Sequence, residues 1–443
     1  MADVIADHPL RGELNEVMHQ RSLPPIKAPC RLQHWLVLIA DEDRPREAQT
    51  VARWRTRFEG HILFDSAMRL LIDAGGRQLQ WDRHTEFSTL TVIEESPFDD
   101  PFADDLLPGM AAEMLGALPG QLFRSVQIAV RPRTLPEPGP ARTDALFAPH
   151  APLSCYVSDG GARIWSDMRV GPHGYTRMLV QDIETRGNAL ARAVQRLIEA
   201  GNYRKLALLG FPQAQKILPL LTTQEHLLAN ITDRIRSDSA HEDQLLADIL
   251  DLAGAVEHGL AENNFRQGAT QAYFQLTRDR LTELQQRKIP GFMTLSEFAD
   301  RRLVPAMRTC EVAARRQAEL SRRVAKAADL VRTRISLSLE RQNQTLLKRM
   351  NERVRLQNRL QAAVEHLSVF AVSYYLIGLV AYMLDGGGSL VPWIANKQLK
   401  AALVPLVLLG VWLVIRSVRR RAIAIERQHD EGEGAARPLT PKP

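Results

Sequence analysis

The stretch LSVFAVSYYLIGLVAYML, residues 367–384, is 18 residues long and carries no charged side chain. A helix rises about 1.5 Å per residue, so this stretch would span about 27 Å and nearly cross a hydrocarbon core of about 30 Å. We therefore predict a transmembrane helix here. A buried hairpin of a soluble protein is the less favoured alternative, because uncharged runs of this length are rare in soluble cores.

A second apolar stretch, AALVPLVLLGVWLVI, covers residues 401–415. It is shorter, so it crosses a bilayer only when the side chains of Lys400 and Arg416 extend to the interface or the bilayer thins. We predict a second transmembrane helix over residues 400–416. Together the two spans form a predicted hairpin within residues 367–416.

The charges that flank this hairpin predict its orientation. Basic residues are concentrated before the first span and after the second, whereas the loop from Asp385 to Lys400 holds two lysines and one aspartate. By the positive-inside rule, both ends of the chain face the cytoplasm. The first ten residues, MADVIADHPL, lack the apolar segment of a cleaved signal, so we expect the 366 residues before the first span to be cytosolic.

Residues 1–211 have the pattern of an α+β domain. Helices are predicted near residues 46–59 and 186–200. Segments rich in β-branched and aromatic residues predict five strands, at 32–40, 86–93, 122–130, 162–170 and 174–183. The last two are separated by Gly171-Pro172-His173-Gly174, which is typical of a hairpin turn.

Residues 212–366 form a predicted stalk of long helices, because apolar residues recur there at steps of three and four. The predicted helices are 222–263, 267–288 and 295–366. In the last of them Pro305 is expected to kink or start the helix, which then runs unbroken from Ala306 into the first span. Beyond the hairpin, residues 417–443 are predicted to form a tail that is basic at first and then disordered.

Positions on one side of the long helix follow an 11-residue spacing. Six of the nine are apolar, and the other three, Gln342, Arg353 and Gln357, weaken an interpretation as a dry core. The two series are Leu320, Val331, Gln342, Arg353 and Val364, and Val324, Ile335, Leu346 and Gln357. Eleven residues in three turns give about 3.67 residues per turn, so the helix should be nearly straight. Two interpretations stay open: packing against the 222–263 helix of the same chain, and self-association.

The long helix is also strongly basic. Residues 301–366 contain 16 Lys and Arg against 6 Asp and Glu. Cations near the bilayer attract anionic headgroups by about 1 kcal/mol each. No aromatic stacking pattern or nucleic-acid motif accompanies the charge. We therefore expect a lipid bilayer and further copies of the chain as partners, and no nucleic acid.

Two polar segments are candidates for ligand binding. One is HPLR at the start of the chain, with His8 and Arg11, joined by His19; the other is WDRHTEF at residues 81–87. If the second segment is a strand, His84 and Glu86 share one face and Arg83 takes the other, so His84 and Glu86 could grip a metal or polar ligand together. The less specific alternative, which we favour, is a hydrogen-bond network that holds the strand to its neighbour.

Other chemistry is disfavoured by the motifs that the sequence lacks. It contains no Walker A loop, dinucleotide-binding glycine motif, zinc-protease helix motif or serine-hydrolase elbow. The three cysteines, Cys30, Cys155 and Cys310, are odd in number and widely spaced, which argues against a disulfide framework or zinc knuckle. We therefore expect that the protein is not an enzyme. The sequence assigns no cofactor and no metal to it.

Several long segments resemble a bacterial family of membrane-anchored proteins, domain-of-unknown-function family 3422. They are HPLRGELNEVMHQR (8–21), WDRHTEFST (81–89), GGARIWSDMRV (160–170), ARAVQRLIEAGNYRKLALLGFP (191–212), RRLVPAMRTC (301–310), the stretch 321–361, and VEHLSVFAVSYYLIGLVAY (364–382). The resemblance extends from His8 to about Arg421. It implies a protein of the bacterial inner membrane and supplies no activity, so no catalytic residue is carried over.

The order of elements is also similar to the CorA-type divalent-cation channels. That family has Gly-Met-Asn at the end of its first span, where this chain has Met383-Leu384-Asp385. If ions pass, the path should follow one face of the first span, with Ala371, Tyr374, Gly378, Tyr382 and Asp385. Helix packing is the favoured alternative use of the same face.

Two classes of function remain. An oligomeric CorA-like divalent-cation channel or transporter is favoured by the order of elements. A membrane-tethered scaffold or sensor, whose cytosolic domain binds a protein or a small ligand, is favoured by the missing signature and by the featureless outer loop.

Overall fold

The computed structural model describes residues 8, 10–11, 23–103, 109–171, 173–237, 242–387, 401, 404–414 and 416–417. The chain divides into two compact units, Met1–Val331 and Arg332–Pro443.

The described part of the first unit contains a ten-stranded mixed sheet. Its strands are β1 Cys30–Leu38, β2 Ile62–Asp65, β3 Arg69–Asp73, β4 Arg77–Arg83, β5 Phe87–Glu94, β6 Gln121–Arg131, β7 Leu153–Val157, β8 Ala162–Ser166, β9 Thr176–Asp182 and β10 Arg287–Lys288. They are ordered β10-β7-β8-β9-β6-β1-β5-β4-β3-β2. Among these pairs β6 and β9 run parallel, and the others are antiparallel.

The described helices are α1 Arg44–Arg57, α2 Met110–Ala117, α3 Pro140–Phe147, α4 Ala189–Ala207, α5 Gly210–Arg236, α6 Glu242–Glu283, α7 Leu295–Arg302, α8 Val304–Gly387 and α9 Val404–Val414. Local chemistry explains several of their starts. Pro45 lies in the first turn of α1, where its missing N–H is tolerated. Thr294 and Glu297 form a reciprocal capping box at the start of α7, which satisfies two backbone donors.

The two faces of the sheet bury different helices. On one face, Leu32, Val126 and Ile164 pack with Val194 and Leu197 of α4. On the other face, Trp35, Leu79 and Leu90 pack with Val51 and Trp54 of α1. Alternation of side chains along each strand produces this division, because successive residues point to opposite faces.

The first part of α8, up to Val331, is packed against α5 and α6. Met307 and Ala313 are buried with Ala214 of α5. Arg316 forms an ion pair with Glu225 of α5 at 2.8 Å, and Ser321 donates a hydrogen bond to Glu257 of α6. The interpretation of the 11-residue series as packing within one chain therefore holds as far as Val331.

The five predicted strands and two early helices are confirmed, but four features of the prediction are wrong. Strands β2, β3, β4, β7 and β10 were not predicted. The predicted strand 162–170 ends at Ser166. The predicted helix 222–263 is interrupted, because α5 ends at Arg236 and α6 begins at Glu242. In turn, α6 continues to Glu283 through the predicted gap at residues 264–266, where no glycine or proline stops it.

The domain boundary predicted at residue 211 falls close to the start of α5, within the compact unit Met1–Val331. The unbroken helix predicted from Ala306 is confirmed, since α8 runs from Val304 to Gly387. Pro305 lies at its start, as predicted.

In the described part of the chain one helix, over Val304–Met383, is long and apolar enough to cross a membrane. The shorter apolar helix α9 coincides with the second predicted span. The hairpin of two transmembrane helices, with its loop from Asp385 to Lys400 largely outside the described residues, remains a prediction. The predicted tail lies outside them beyond Ser417.

Candidate functional site

Polar side chains form two cross-strand rows on the α4-facing side of the sheet. Arg69, Asp82 and Thr89 are register partners across β3, β4 and β5. Gln80, Thr91 and His34 are partners across β4, β5 and β1. Trp81, Leu90 and Trp35, which alternate with these residues, are apolar and face the opposite side. Burying a polar side chain costs free energy unless it forms hydrogen bonds. The side chains of these rows therefore require polar groups beside or above them.

A cavity of about 130 Å³ lies over these rows and is bounded on its other side by α4. We call it the ligand cavity. Besides the residues of the two rows it is lined by Arg83 and His84 from the end of β4, and by Glu199, Asn202 and Tyr203 of α4. Its walls therefore carry hydroxyl, amide, imidazole and charged groups, and the space is sufficient for several water molecules or a small polar molecule.

His34 sits in a buried chain of hydrogen bonds at the wall of the cavity. Arg124 donates to Asn202 Oδ1 at 2.7 Å, so the Asn202 amide nitrogen faces His34 Nε2 at 3.1 Å. An amide nitrogen only donates, so His34 Nε2 accepts and the ring proton is on Nδ1. That proton is directed at Thr91 Oγ1, at 2.8 Å, and the Thr91 hydroxyl lines the cavity.

Electrostatics keep this histidine neutral. Burial and the positive charge of Arg124 hold the pKa of His34 well below its usual range, against the opposing hydrogen bond from Asn202. Arg124 is itself only 4% exposed, and burial with the nearby charge of Arg204 lowers the pKa of Arg124 to about 9. At neutral pH, each group in the hydrogen-bond chain from Arg124 to Thr91 therefore keeps one protonation state and one role as donor or acceptor.

Gln80 lines the cavity and carries a buried acceptor. Its amide nitrogen donates to Asp82, and Asp82 is also paired with Arg69 at 3.6 Å. Gln80 Oε1 is buried and has no hydrogen-bond partner among the described residues. A buried carbonyl oxygen without a partner costs about 1–3 kcal/mol, so a group that donates to it would be bound favourably.

The segment around His84 and Glu86 is a turn between β4 and β5, so the prediction that they share a strand face is wrong. Arg44 fixes this turn by donating to the carbonyl oxygens of His84 and Thr85, at 2.8 and 2.6 Å. His84 stacks on Phe87 with ring centroids 4.2 Å apart. The chain reverses within these three residues, so His84 and Glu86 lie on neither strand.

Arg83 and Glu86 have structural partners on opposite sides of the turn. Arg83 is 3.5 Å from the fully buried carboxylate of Glu47, which Arg44 and Ser88 also bond. Glu86 accepts from Arg266 of α6 at 2.7 Å. Burial and the hydrogen bond to Glu86 raise the pKa of Tyr273. These contacts of Glu86 agree with the alternative to ligand binding, in which its side chain belongs to a hydrogen-bond network that holds this segment to the neighbouring α6.

The remaining predicted ligand residues are not brought to the cavity by the described structure. His8 and Arg11 are exposed, and His8 Nδ1 accepts from the backbone of Leu10. His19 lies outside the described residues. Of the six predicted residues, Arg83 and His84 line the ligand cavity.

Sequence reasoning did not identify the polar rows. The signal was present in RQLQWDR, residues 77–83, where Gln78, Gln80 and Asp82 alternate with Leu79 and Trp81. Such a strand has one polar and one apolar face. His34 is similarly unusual, as a polar residue between Leu32 and Leu36 on an otherwise apolar strand face.

Groups of three or more His, Cys, Asp or Glu with the geometry to hold a metal do not occur among the described residues. His84 and Glu86 are only two residues, so their predicted grip on a metal is not tested by this absence and stays a prediction. On the first span, Tyr374 and Tyr382 are 76% and 84% exposed, and Ala371 and Gly378 are exposed with them. Asp385 lies in α8, and its side chain is outside the described set.

Comparison with known proteins identifies a family and little else. The family model described as "Protein of unknown function (DUF3422)" matches residues 6–422, which confirms the resemblance found in the sequence. No curated protein matches the chain. A solved structure, "structure of the full-length CmaX protein", is similar at 13% identity over 74% of this chain and 94% of that chain, with a TM-score of 0.21.

Proposed function

The chain belongs to the DUF3422 family of proteins of unknown function, and on this premise we propose that it is a membrane-tethered sensor whose cytosolic domain binds a small polar molecule. The observation that carries the proposal is the ligand cavity. It combines a small, partly open space lined by both apolar and polar side chains, a buried acceptor without a partner at Gln80, and the hydrogen-bond chain that ends at Thr91. Pockets with a few convergent polar groups are the usual form of small-molecule sites.

The walls of the cavity favour a neutral or zwitterionic ligand. Asp82 is already paired with Arg69, and the Glu199 carboxylate is paired with Arg280 of α6. Thus the charges of both signs are largely balanced by the protein. The hydrogen-bonding groups left for a ligand are the acceptor Gln80 Oε1 and the hydroxyl of Thr91. A ligand with hydroxyl or amino donors complements them.

Matched variants on strand β4 test the site. Thermal unfolding of the purified chain would be followed with free amino acids and with small polyols, each added singly. We expect at least one of these probes to raise the melting temperature, because a ligand that binds only the folded state stabilises it. Gln80→Met should weaken that ligand about fivefold through the loss of one hydrogen bond.

Gln78→Met is the control. Gln78 lies two residues away on the same face of β4 and is not part of the cavity wall. Its substitution should leave the ligand-induced shift unchanged. The proposal is wrong if no probe raises the melting temperature, or if both variants reduce the shift equally.

The tether is the apolar part of α8 together with α9. In the second unit one side of each helix is less exposed: Ser373, Ile377 and Val380 on α8, and Val404, Val407 and Val411 on α9. Small steps of three and four place each set on one helix face, which supports two helices that pack together in the bilayer. We propose a multi-pass protein of the bacterial inner membrane with both termini in the cytoplasm.

Fractionation and fusion reporters test this topology. The chain should remain in the membrane pellet after alkaline carbonate treatment. A reporter that is active only in the periplasm, fused after Pro443, should be inactive. Extraction by carbonate would contradict the tether, whereas an active reporter would contradict the orientation alone.

An oligomeric divalent-cation channel is the second candidate. The observation that favours it is the exposed face of the first span, where Tyr374 and Tyr382 follow Ala371 and Gly378 at helical spacing. If this face lines a path, Asp385→Ala should lower divalent-cation uptake into reconstituted vesicles while the particle mass in detergent stays that of an oligomer. A monomeric particle, or uptake that does not differ from that of empty vesicles, would contradict it.

A further inference from the structure

The cytosolic stretch of α8 beyond Val331 carries a row of exposed apolar side chains. Leu339, Leu346, Met350, Leu360 and Val364 are between 55% and 63% exposed. Leu339 and Met350 are 11 residues apart, and Leu346 belongs to the second of the two 11-residue series. We call these five residues the exposed stripe. Solvated apolar side chains occur singly on most surfaces, but a continuous row marks an interaction surface.

The exposed stripe continues the register of an interface that the chain already forms. Leu320, Val324 and Val331, which precede it in the same two series, are 1%, 2% and 0% exposed. A helix with an 11-residue repeat keeps such positions on one side along its whole length. Residues 332–366 would extend the same side by about 52 Å at 1.5 Å per residue. On it Ile335 is half-buried, and the positions from Gln342 onward are exposed.

Three of the cations of this stretch lie on the side opposite the stripe. Residues two positions apart on a helix are about 200° apart around its axis. Lys348, Arg355 and Arg359 each follow a seam position, Leu346, Arg353 or Gln357, by two residues. These cations therefore lie on the opposite side, and covering the stripe would not bury them.

From this geometry we infer that the exposed stripe is the contact between copies of this chain, arranged parallel and in register. The inference rests on the proposed membrane tether, because the same helix enters the apolar segment 367–383, which gives every copy the same direction and depth. Neighbouring copies then place identical residues at the same height.

The polar seam positions fit a second copy better than an unrelated partner. In register, Gln342 faces Gln342 and Gln357 faces Gln357 across the contact. A side-chain amide both donates and accepts, so each such pair satisfies itself. Arg353 has a long aliphatic stem that packs along the seam while its guanidinium extends to the edge. Polar residues of this kind fix the register of helical assemblies at some cost in stability.

Cysteine cross-linking in native membranes tests the contact. Leu346→Cys places a thiol on the stripe, and Lys348→Cys places one on the opposite side of the same turn. The native Cys30, Cys155 and Cys310 are buried and free, which limits background reaction. With a mild oxidant, we expect Leu346→Cys to form covalent dimers severalfold more than Lys348→Cys, and Leu339→Cys and Met350→Cys to behave like Leu346→Cys.

Each outcome decides the question. Equal cross-linking at the two sides, or none at the stripe in chains that sediment with the membrane, overturns the inference. Cross-linking of Leu346→Cys to a different protein does the same and identifies another occupant. If the chain does not sediment with the membrane, the tether fails; stripe-specific dimers in the soluble fraction would then still support association.

Discussion

The two stretches of α8 carry the same pattern in different surroundings. In Val304–Val331 the 11-residue series is buried, with Leu320 at 1% exposure. Ile335 is half-buried, and from Gln342 onward the series is open, with Leu346 at 56% and Val364 at 63%. An apolar series thus indicates which side of a helix is suited to contact. It does not indicate whether that contact comes from the same chain, from a lipid or from another copy.

The first stretch is covered because α5 and α6 run beside it. Their side chains also provide polar partners, among them Glu225 for Arg316 and Gln267 for Gln317. Comparable substitutions in the two stretches should therefore have very different effects on folding.

The largest effect is expected from truncation of the buried series. Leu320→Ala should lower the free energy of unfolding of the first unit by about 2–5 kcal/mol, because it removes a buried leucine and leaves a cavity. Leu346→Ala at the exposed stripe should change it by less than about 0.5 kcal/mol. Urea unfolding followed by tryptophan fluorescence measures both, since Trp35, Trp54, Trp81 and Trp165 are buried in the first unit. Equal losses in the two variants would contradict the comparison.

An intermediate effect on the free energy of unfolding is expected from a change of pH, through the buried side chain of His34. His34 is held neutral in the folded state, while its pKa in the unfolded chain is near the ordinary 6.5. Below pH 6.5 the unfolded state binds a proton that the folded state does not, so stability should fall as the pH decreases towards the lower folded pKa.

The slope from this one group is at most about 1.4 kcal/mol per pH unit. His34→Gln should reduce the loss of stability between pH 6.5 and 5, whatever its effect at neutral pH, as measured by urea unfolding at a series of pH values. An unchanged slope in the variant would show that His34 is not the group responsible.

The smallest effect is expected at the ion pair between α5 and α8. The hydrogen bond from Arg316 holds the pKa of Glu225 below its ordinary value of 4.5. The stabilisation is therefore fully present above about pH 4.5 and is lost as the pH falls through the lower folded pKa. Both side chains are about one-third exposed, so Arg316→Ala should cost only about 0.2–1 kcal/mol at neutral pH.

Arg355→Ala, on the exposed part of the same helix, is the matched substitution and should leave the stability of the first unit unchanged. If Arg355→Ala lowered the stability of the first unit as much as Arg316→Ala, the comparison between the two stretches of α8 would be wrong. Double substitution of Arg316 and Glu225 would confirm that the two side chains act as a pair.

Prediction from sequence succeeded where one element determines its own pattern. The strand around Trp35 is largely apolar, and α8 has no glycine or proline between Ala306 and Ile377. It failed at β4, where Gln78, Gln80 and Asp82 make the strand look polar and loop-like. The polar face of β4 is acceptable only because β3, β5 and β1 place Arg69, Thr91 and His34 beside it.

By itself, the sequence determined the family, the mixed first domain, the unbroken helix α8 and its apolar segment, because these follow from local composition and from periodicity along one element. Tertiary structure alone decided that Arg83 and His84 reach the ligand cavity while Glu86 bonds α6, and that the 11-residue series is covered only to Val331. The physical reason is that burial and hydrogen-bond partners are properties of neighbours distant in sequence, which no local pattern specifies.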